Sequence, residues 1–323
     1  MVVQQQVLRD FRASKHRKRF KSVRRTQPSL NYTLRGFSLR AHDTGRVRLI
    51  LAGRVSVPVV WSRPLPSVPS SVRVYRDALG HWWASFVVDI DDDSSHHPET
   101  GKSVGIDWGV ARPATATDRT FDLEHPNLGR KAAVKLAAAQ RRMARRKPKP
   151  GVRASRGYQA AKRQAAKIHE RLRNQRREIS RAWAAKVVAS HDVIAVEDFR
   201  PRFLASTTMA RKAADGGLGI LKRALIEQGQ RAGRQVVLVP PAYTTLDCAN
   251  CGTRAKTRLA LSTRTYTCAT CGNIDDRDHN AAVNVLLRAQ ATLGAGLDPA
   301  DVEAVRHEHP RVLAHAESGI PRL

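Results

Sequence analysis

Four cysteines repeat one short pattern, Cys248-Ala249-Asn250-Cys251-Gly252 and Cys268-Ala269-Thr270-Cys271-Gly272, with 16 residues between the pairs. A C-x-x-C turn places two thiolates on one side of a tight loop, and the following Gly lets the chain curl so that amides point at sulfur. Two such turns complete a closed four-sulfur set, the donors of a structural Zn²⁺ site. Redox-active C-x-x-C is the alternative chemistry, although that motif is usually single and not repeated at this distance. Three acids stand out as well. Asp107 lies in GIDWGV and Glu197 in VIAVEDF, each where a short apolar run ends, and Asp278 lies in DDRDHNAAVNVLL at the head of a helical stretch. Taken singly, each is first a turn or cap residue, and Asp278 is a good N-cap candidate. Brought together, three carboxylates make a hard-oxygen site for two Mg²⁺ ions ~4 Å apart, which can activate a water and stabilise the leaving oxygen of a phosphodiester.

The elements that must position these residues follow from hydrophobic pattern. Val104–Asp107, Val193–Glu197 and Gln235–Val239 are short apolar runs of the kind that form strands buried on both faces, and helical stretches alternate with them. That alternation predicts an α/β layer. Between residues 130 and 182, 19 Lys and Arg face only Glu170 and Glu178 in an Ala-rich, helix-forming stretch. Pro148, Pro150 and Gly151 break it, which predicts two long basic helices in a hairpin. A further helix is expected near 217–233. Upstream, Val47–Leu51, Val72–Tyr75 and Trp83–Val88 have the character of a small antiparallel β unit, with a turn at Ala78-Leu79-Gly80. In that alternating strand Trp82, Trp83 and Phe86 are expected mostly in a core, with base stacking the lesser alternative. Residues 1–30 are a basic opening, 91–101 a polar linker, and the stretch from Ala291 shows no period.

Charge narrows the partners. The chain of 323 residues carries 57 Lys and Arg against 28 Asp and Glu, a formal net charge of +29. Such a surplus calls for a polyanion, and the clustering of the basic residues favours nucleic acid over codon bias alone. Hydrophobic residues at 41% suffice for a core, although aromatics at 5% leave it to Val, Leu, Ile and Ala. No apolar run approaches the ~20 residues of a membrane span, and the N-terminus has no secretory apolar stretch. With all four cysteines in one metal set, a reducing intracellular setting is expected. The scattered His96, His97, His307, His309 and His315 have no metal-ligand spacing.

The ordered set GIDWGV, the basic hairpin ending IHERLRNQRRE, VIAVEDF, the C-x-x-C-G pair and DRDHNAAVN resembles TnpB (OrfB) proteins of insertion sequences, relatives of the type V CRISPR effectors. The resemblance covers about residues 8–290. It implies a RuvC-like, RNase H-fold α/β nuclease domain with a four-cysteine zinc ribbon inserted before its last acid. Asp107, Glu197 and Asp278, rather than Asp275 or Asp276, match the family's catalytic and Mg-binding acids, and Cys248, Cys251, Cys268 and Cys271 match its zinc ligands. The implied activity is RNA-guided DNA cleavage on behalf of a mobile element, with guide RNA and target DNA as partners and no membrane. A cytoplasmic, nucleoid-associated setting follows. The implied domains are a partial, β-rich nucleic-acid-binding region at 1–100, the nuclease domain at 101–240 with the basic hairpin at 130–190, the ribbon at 241–275, the last nuclease segment at 276–290 and a disordered tail at 291–323. Family members carry more chain before RASKHRKRFKSVRR, which implies an incomplete β unit and no helical lobe here. The rival expectations are a binding protein that regulates transposition without cutting, and an inactive copy.

Overall fold

Residues 103–107, 193–197 and 235–239 form the strands their apolar runs predict, and together they organise the larger part of the protein. The computed structural model describes residues 8–9, 11–13, 28–41, 47–89, 98–257, 259–260 and 262–294; the tail from 295, the N-terminal basic stretch from 14 to 25 and most of the 91–101 linker lie outside them. The chain divides into two units, Met1–Asp91 with Leu136–His169, and Asp92–Lys135 with Glu170–Leu323.

Among its described residues the first unit contains six strands: β1 (Ser29–Thr33), β2 (Phe37–Ala41), β3 (Val47–Leu51), β4 (Val55–Pro58), β5 (Ser71–Arg76) and β6 (Trp82–Val87). They form two antiparallel sheets, ordered β1-β5-β6 and β2-β3-β4. Tyr32, Leu49, Leu51 and Val72 make a shared core, against which Phe37, Val74, Ala84 and Phe86 pack. Phe86 stacks on Trp61 with ring centroids 5.2 Å apart. Trp82 and Trp83 do not join this core. They are 58% and 50% exposed, and the Trp83 indole N–H instead donates to Asp77 Oδ2 at 2.8 Å. Asp77 also accepts the amides of Leu79 and His81, closing the turn where it was expected.

The second unit is built on the sheet β10-β9-β7-β8, where β7 is Ser103–Asp107, β8 Thr115–Ala116, β9 Val193–Glu197 and β10 Gln235–Val239. Strands β7, β9 and β10 are parallel, and β8 returns antiparallel to β7. The two-residue side-chain period divides the sheet's faces. Val104, Ile106, Ile194 and Val196 enter one core with Trp183, Val187, Leu221 and Leu225, which come from α2 (Arg156–Ser190) and α4 (Leu218–Arg231). Ala195 enters a second core with Val285, Leu286 and Ala289 of α5 (Arg277–Leu293). Both faces of β7 and β9 are therefore covered, and their runs carry no polar alternation. The approach of α5 to β7 needs a glycine. A Cβ built on Gly105 would stand 2.2 Å from the Ala282 carbonyl oxygen.

The basic stretch forms α1 (Leu128–Arg145) and α2, broken between them around Pro148, Pro150 and Gly151, with Gly151 at φ 83°. Arg142 bonds Gln164 across the pair at 2.7 Å. A short α3 (Ala210–Gly216) precedes α4, and the ribbon strands β11 (Thr265–Thr267) and β12 (Ile274–Asp276) pair antiparallel. Helix α5 runs to Leu293, so the helical stretch passes the boundary at Ala291 suggested by the loss of period. Among the described residues no helix is long and apolar enough to cross a membrane.

Candidate active site and metal centre

Asp107 and Glu197 are brought together by strand parity and register. Strands β7 and β9 pair with Ile106 opposite Val196, so the two acids come next along neighbouring parallel strands. Each lies two residues beyond a position on the α5 face, Gly105 or Ala195, and therefore on that same face. The N-terminus of α5 brings Asp278 to it. The three carboxylates are buried, at 5%, 6% and 7% exposure, and all line one cleft of about 790 Å³.

The neighbouring acids take other work. Asp276 is the N-cap of α5, accepting the amides of Asp278 and His279 at 2.9 and 3.1 Å. The cap role considered for Asp278 thus belongs to the residue two positions earlier, which leaves the Asp278 carboxylate for the cleft. Asp275 accepts from His279 Nδ1 at 2.7 Å and from Arg119 at 3.1 Å. Asp198 turns away from Glu197 and pairs with Lys222 at 2.7 Å.

Electrostatics sets this cleft apart. Burial first, then the fields of Glu197 and Asp278, push the Asp107 carboxyl well above the ordinary value of 3.8; Arg277 and the Trp108 amide oppose the shift. Burial likewise raises Glu197, against the Thr244 hydroxyl and the more distant Lys222 and Arg288. Asp278 is ion-paired with Arg264 at 2.9 Å and Arg277 at 2.8 Å. Buried carboxylates whose protonation is favoured in this way are what a divalent cation reverses, and an all-oxygen donor set suits a hard ion such as Mg²⁺.

Several supporting residues were not singled out in the sequence. Thr244 donates its hydroxyl to Glu197 Oε1 at 3.0 Å, and the Trp108 indole donates to the Glu197 carbonyl at 3.1 Å. Asn280, fully buried, accepts from the Ala249 amide and donates to the Asp247 carbonyl, at 2.9 and 2.8 Å. One turn later Asn284 donates to the Thr244 and Asp247 carbonyls at 2.9 and 2.7 Å. These two asparagines give DRDHNAAVN its physical meaning, because they tie the base of the cysteine ribbon to the helix that carries Asp278. The signal for them was there, as polar residues at i and i+4 on an otherwise apolar helix face.

The ribbon brings its four cysteines together, with every sulfur within 4.8 Å of the others. Cys248 and Cys271 are 3.7 Å apart, and Cys251 and Cys268 are 3.6 Å apart. Zn–S bonds of about 2.3 Å in a tetrahedron put sulfurs about 3.8 Å apart, so the quartet fits that ion. Gly252 and Gly272, both at φ 72°, return their amides to the carbonyls of Cys248 and Cys268 at 2.8 and 3.0 Å. Burial pushes the Cys248 thiol up, whereas at Cys268 it is outweighed by the Cys271 and Thr270 amides, which bring that thiol to about 7.

Comparison with known proteins covers the same stretches of chain. The OrfB_IS605 family model, described as "Probable transposase", matches residues 85–204, which include Asp107 and Glu197. The Cas12f1-like TNB domain model matches 219–285, which include the cysteine quartet and Asp278. A Streptomyces pristinaespiralis protein named "Putative RNA-guided DNA endonuclease" is 29% identical over 94% of this chain and 74% of its own. An Escherichia coli protein named "Putative RNA-guided DNA endonuclease InsQ" is 31% identical over 73% of this chain and 60% of its own. In fold, the chain is similar to Cas12f1 in its cryo-EM complex with sgRNA and target DNA, with a TM-score of 0.54 and 13% identity over 86% of this chain and 67% of that one. The two family models match in chain order over the stretches that hold the three acids and the four cysteines, which bears out the resemblance to the TnpB (OrfB) family of insertion-sequence proteins.

Proposed function

We propose that this protein is an RNA-guided DNA endonuclease of a transposable element, that Asp107, Glu197 and Asp278 hold two Mg²⁺ ions, and that Cys248, Cys251, Cys268 and Cys271 hold a structural Zn²⁺. The observation that carries the reading is the convergence of three buried carboxylates in one cleft, with Asp107 raised by burial and by the fields of the other two. Mg²⁺ bound there would supply a polarised phosphodiester and a water of lowered pKa. The protein's part is to hold the carboxylates in place. Thr244 and Trp108 fix Glu197, Arg264 and Arg277 hold Asp278, and the two asparagines lock α5 against the ribbon. Sequence recognition would fall to base pairing, with the protein reading backbone through its basic surface. Guide RNA and target DNA are the proposed partners, in keeping with the names of the relatives.

The test is to purify the protein from cells expressing its own locus and sequence the nucleic acid that accompanies it. One defined RNA with a constant scaffold is the expected result. A random mixture of host RNA and DNA would mean that charge alone is binding, and would favour a binder that is not guided.

A further inference from the structure

Tyr243 holds a backbone conformation that aromatic residues rarely take, with φ at 66°. Among the described residues the other non-glycine positions with positive φ are Arg54 and Asn127, and neither lines the acidic cleft. Tyr243 does, at 48% exposure. A side chain in this region costs free energy that the surrounding structure must offset, and such residues cluster at functional sites. The surroundings here are specific. The Tyr243 carbonyl accepts the amides of Leu246 and Asp247, both at 3.0 Å. The Arg254 guanidinium lies 3.6 Å from the ring centroid and is itself held by both oxygens of Asp247, at 2.7 and 3.2 Å. The next residue, Thr244, bonds Glu197. Backbone strain, a cation on the ring and the neighbouring hydrogen bonds all serve to present one half-exposed aromatic ring at the cleft.

We propose that the Tyr243 ring, backed by Arg254, stacks an unpaired nucleobase of the DNA strand entering the cleft and so sets which phosphate reaches the three acids. The proposal rests on the nuclease reading. A ring with a guanidinium against it is polarised and stiffened, which suits stacking on a base of any sequence. Asp247 is shared with Arg288 at 2.7 Å, so the three side chains keep one net positive charge, which suits the strand's backbone.

The test uses the full-length chain and a single-stranded DNA of about 12 nucleotides carrying 2-aminopurine at each position in turn. Fluorescence is read with Mg²⁺ omitted, no chelator added and protein saturating, so that the zinc ribbon stays intact, charge-driven affinity cancels and no cleavage is needed. Tyr243→Asn and Tyr243→Gly remove the ring and accept the left-handed conformation more easily, so their melting temperatures should equal or exceed that of the wild type. The expected result is a position-specific quench with wild type and Tyr243→Phe that the Asn and Gly variants lose, together with about tenfold slower cleavage of a guide-matched DNA by those two. Identical quenching profiles in all four proteins would overturn the proposal. A quench that depends on the ring, in a protein that cuts nothing, would count against the nuclease reading alone.

Discussion

Glu197 is held by a neighbour on a different element, and the cost of losing that neighbour can be stated. The Thr244 hydroxyl bonds its carboxylate at 3.0 Å in a buried setting. Replacing Thr244 by Val keeps the shape and removes the donor, and loss of a partner that orients a metal-binding carboxylate typically costs 10–100-fold in activity or metal affinity. About that loss in cleavage is expected of Thr244→Val, with recovery in Thr244→Ser, measured on matched DNA. Asp107 makes a second prediction, this one in pH. A carboxyl whose pKa is raised on folding stabilises the fold while protonated. That contribution is whole below the ordinary values of 3.8 for Asp and 4.5 for Glu, and is lost as pH rises through the raised ones. In Mg²⁺-free protein that keeps its zinc, Asp107→Asn should therefore melt above the wild type near about pH 8, by roughly 2–4 °C for each kcal/mol relieved, with the gap narrowing as pH falls. Mg²⁺ should stabilise the wild type but not the variant. Asp107, Glu197 and Asp278 were legible because each ends an apolar run or heads a helix. Thr244 was not, since its role depends on where a loop after β10 passes, and no local pattern encodes that.

At the scale of elements, the site depends on α5 lying very close to β7. Gly105→Ala would place a methyl 2.2 Å from the Ala282 carbonyl, a backbone atom that cannot swing aside. A loss of about 1–3 kcal/mol or more is expected, seen as a lower denaturation midpoint at unchanged slope. The ribbon should likewise respond to chelation. Stripping zinc would release the segment that Asn280 and Asn284 tie to α5, so zinc chelators should lower both the melting temperature and the cleavage rate, and restored Zn²⁺ should recover both. Strands β7, β9 and β10 were readable as continuous apolar runs because both faces are covered. Strands β1, β2 and β4 were not: each alternates polar and apolar residues (SLNYT, FSLRA, VSVP), but five residues or fewer give too few periods for the pattern to stand out. Trp82 and Trp83 misled for a related reason. Adjacent residues on a strand point to opposite faces, so at most one could have entered the core, and the Asp77 turn holds Trp83 outside.

For the whole molecule the governing quantity is the charge of +29. Binding to phosphates releases counterions, so the logarithm of the binding constant should fall linearly with the logarithm of salt concentration. Arg145, Lys162, Arg163 and Lys167 are exposed on the hairpin helices. Replacing each with Gln should reduce that slope by about 0.7–0.9 for every phosphate no longer neutralised, without changing the metal dependence of cleavage. An unchanged slope would assign these residues to a solvated face.

The most direct test of the account places cleavage and binding side by side. The wild type with its guide RNA, and the Asp107→Ala, Glu197→Ala and Asp278→Ala variants, are titrated with a guide-matched DNA with Mg²⁺ and with Mg²⁺ omitted, without a chelator, so that the zinc ribbon stays loaded. Cleavage should occur only in the wild type with Mg²⁺, while all four bind the DNA equally well, since losing a carboxylate cannot weaken attraction for a polyanion. Cleavage that survives in any of the three variants, or binding that is lost together with cutting, would contradict the assignment of these acids to the catalytic metal site.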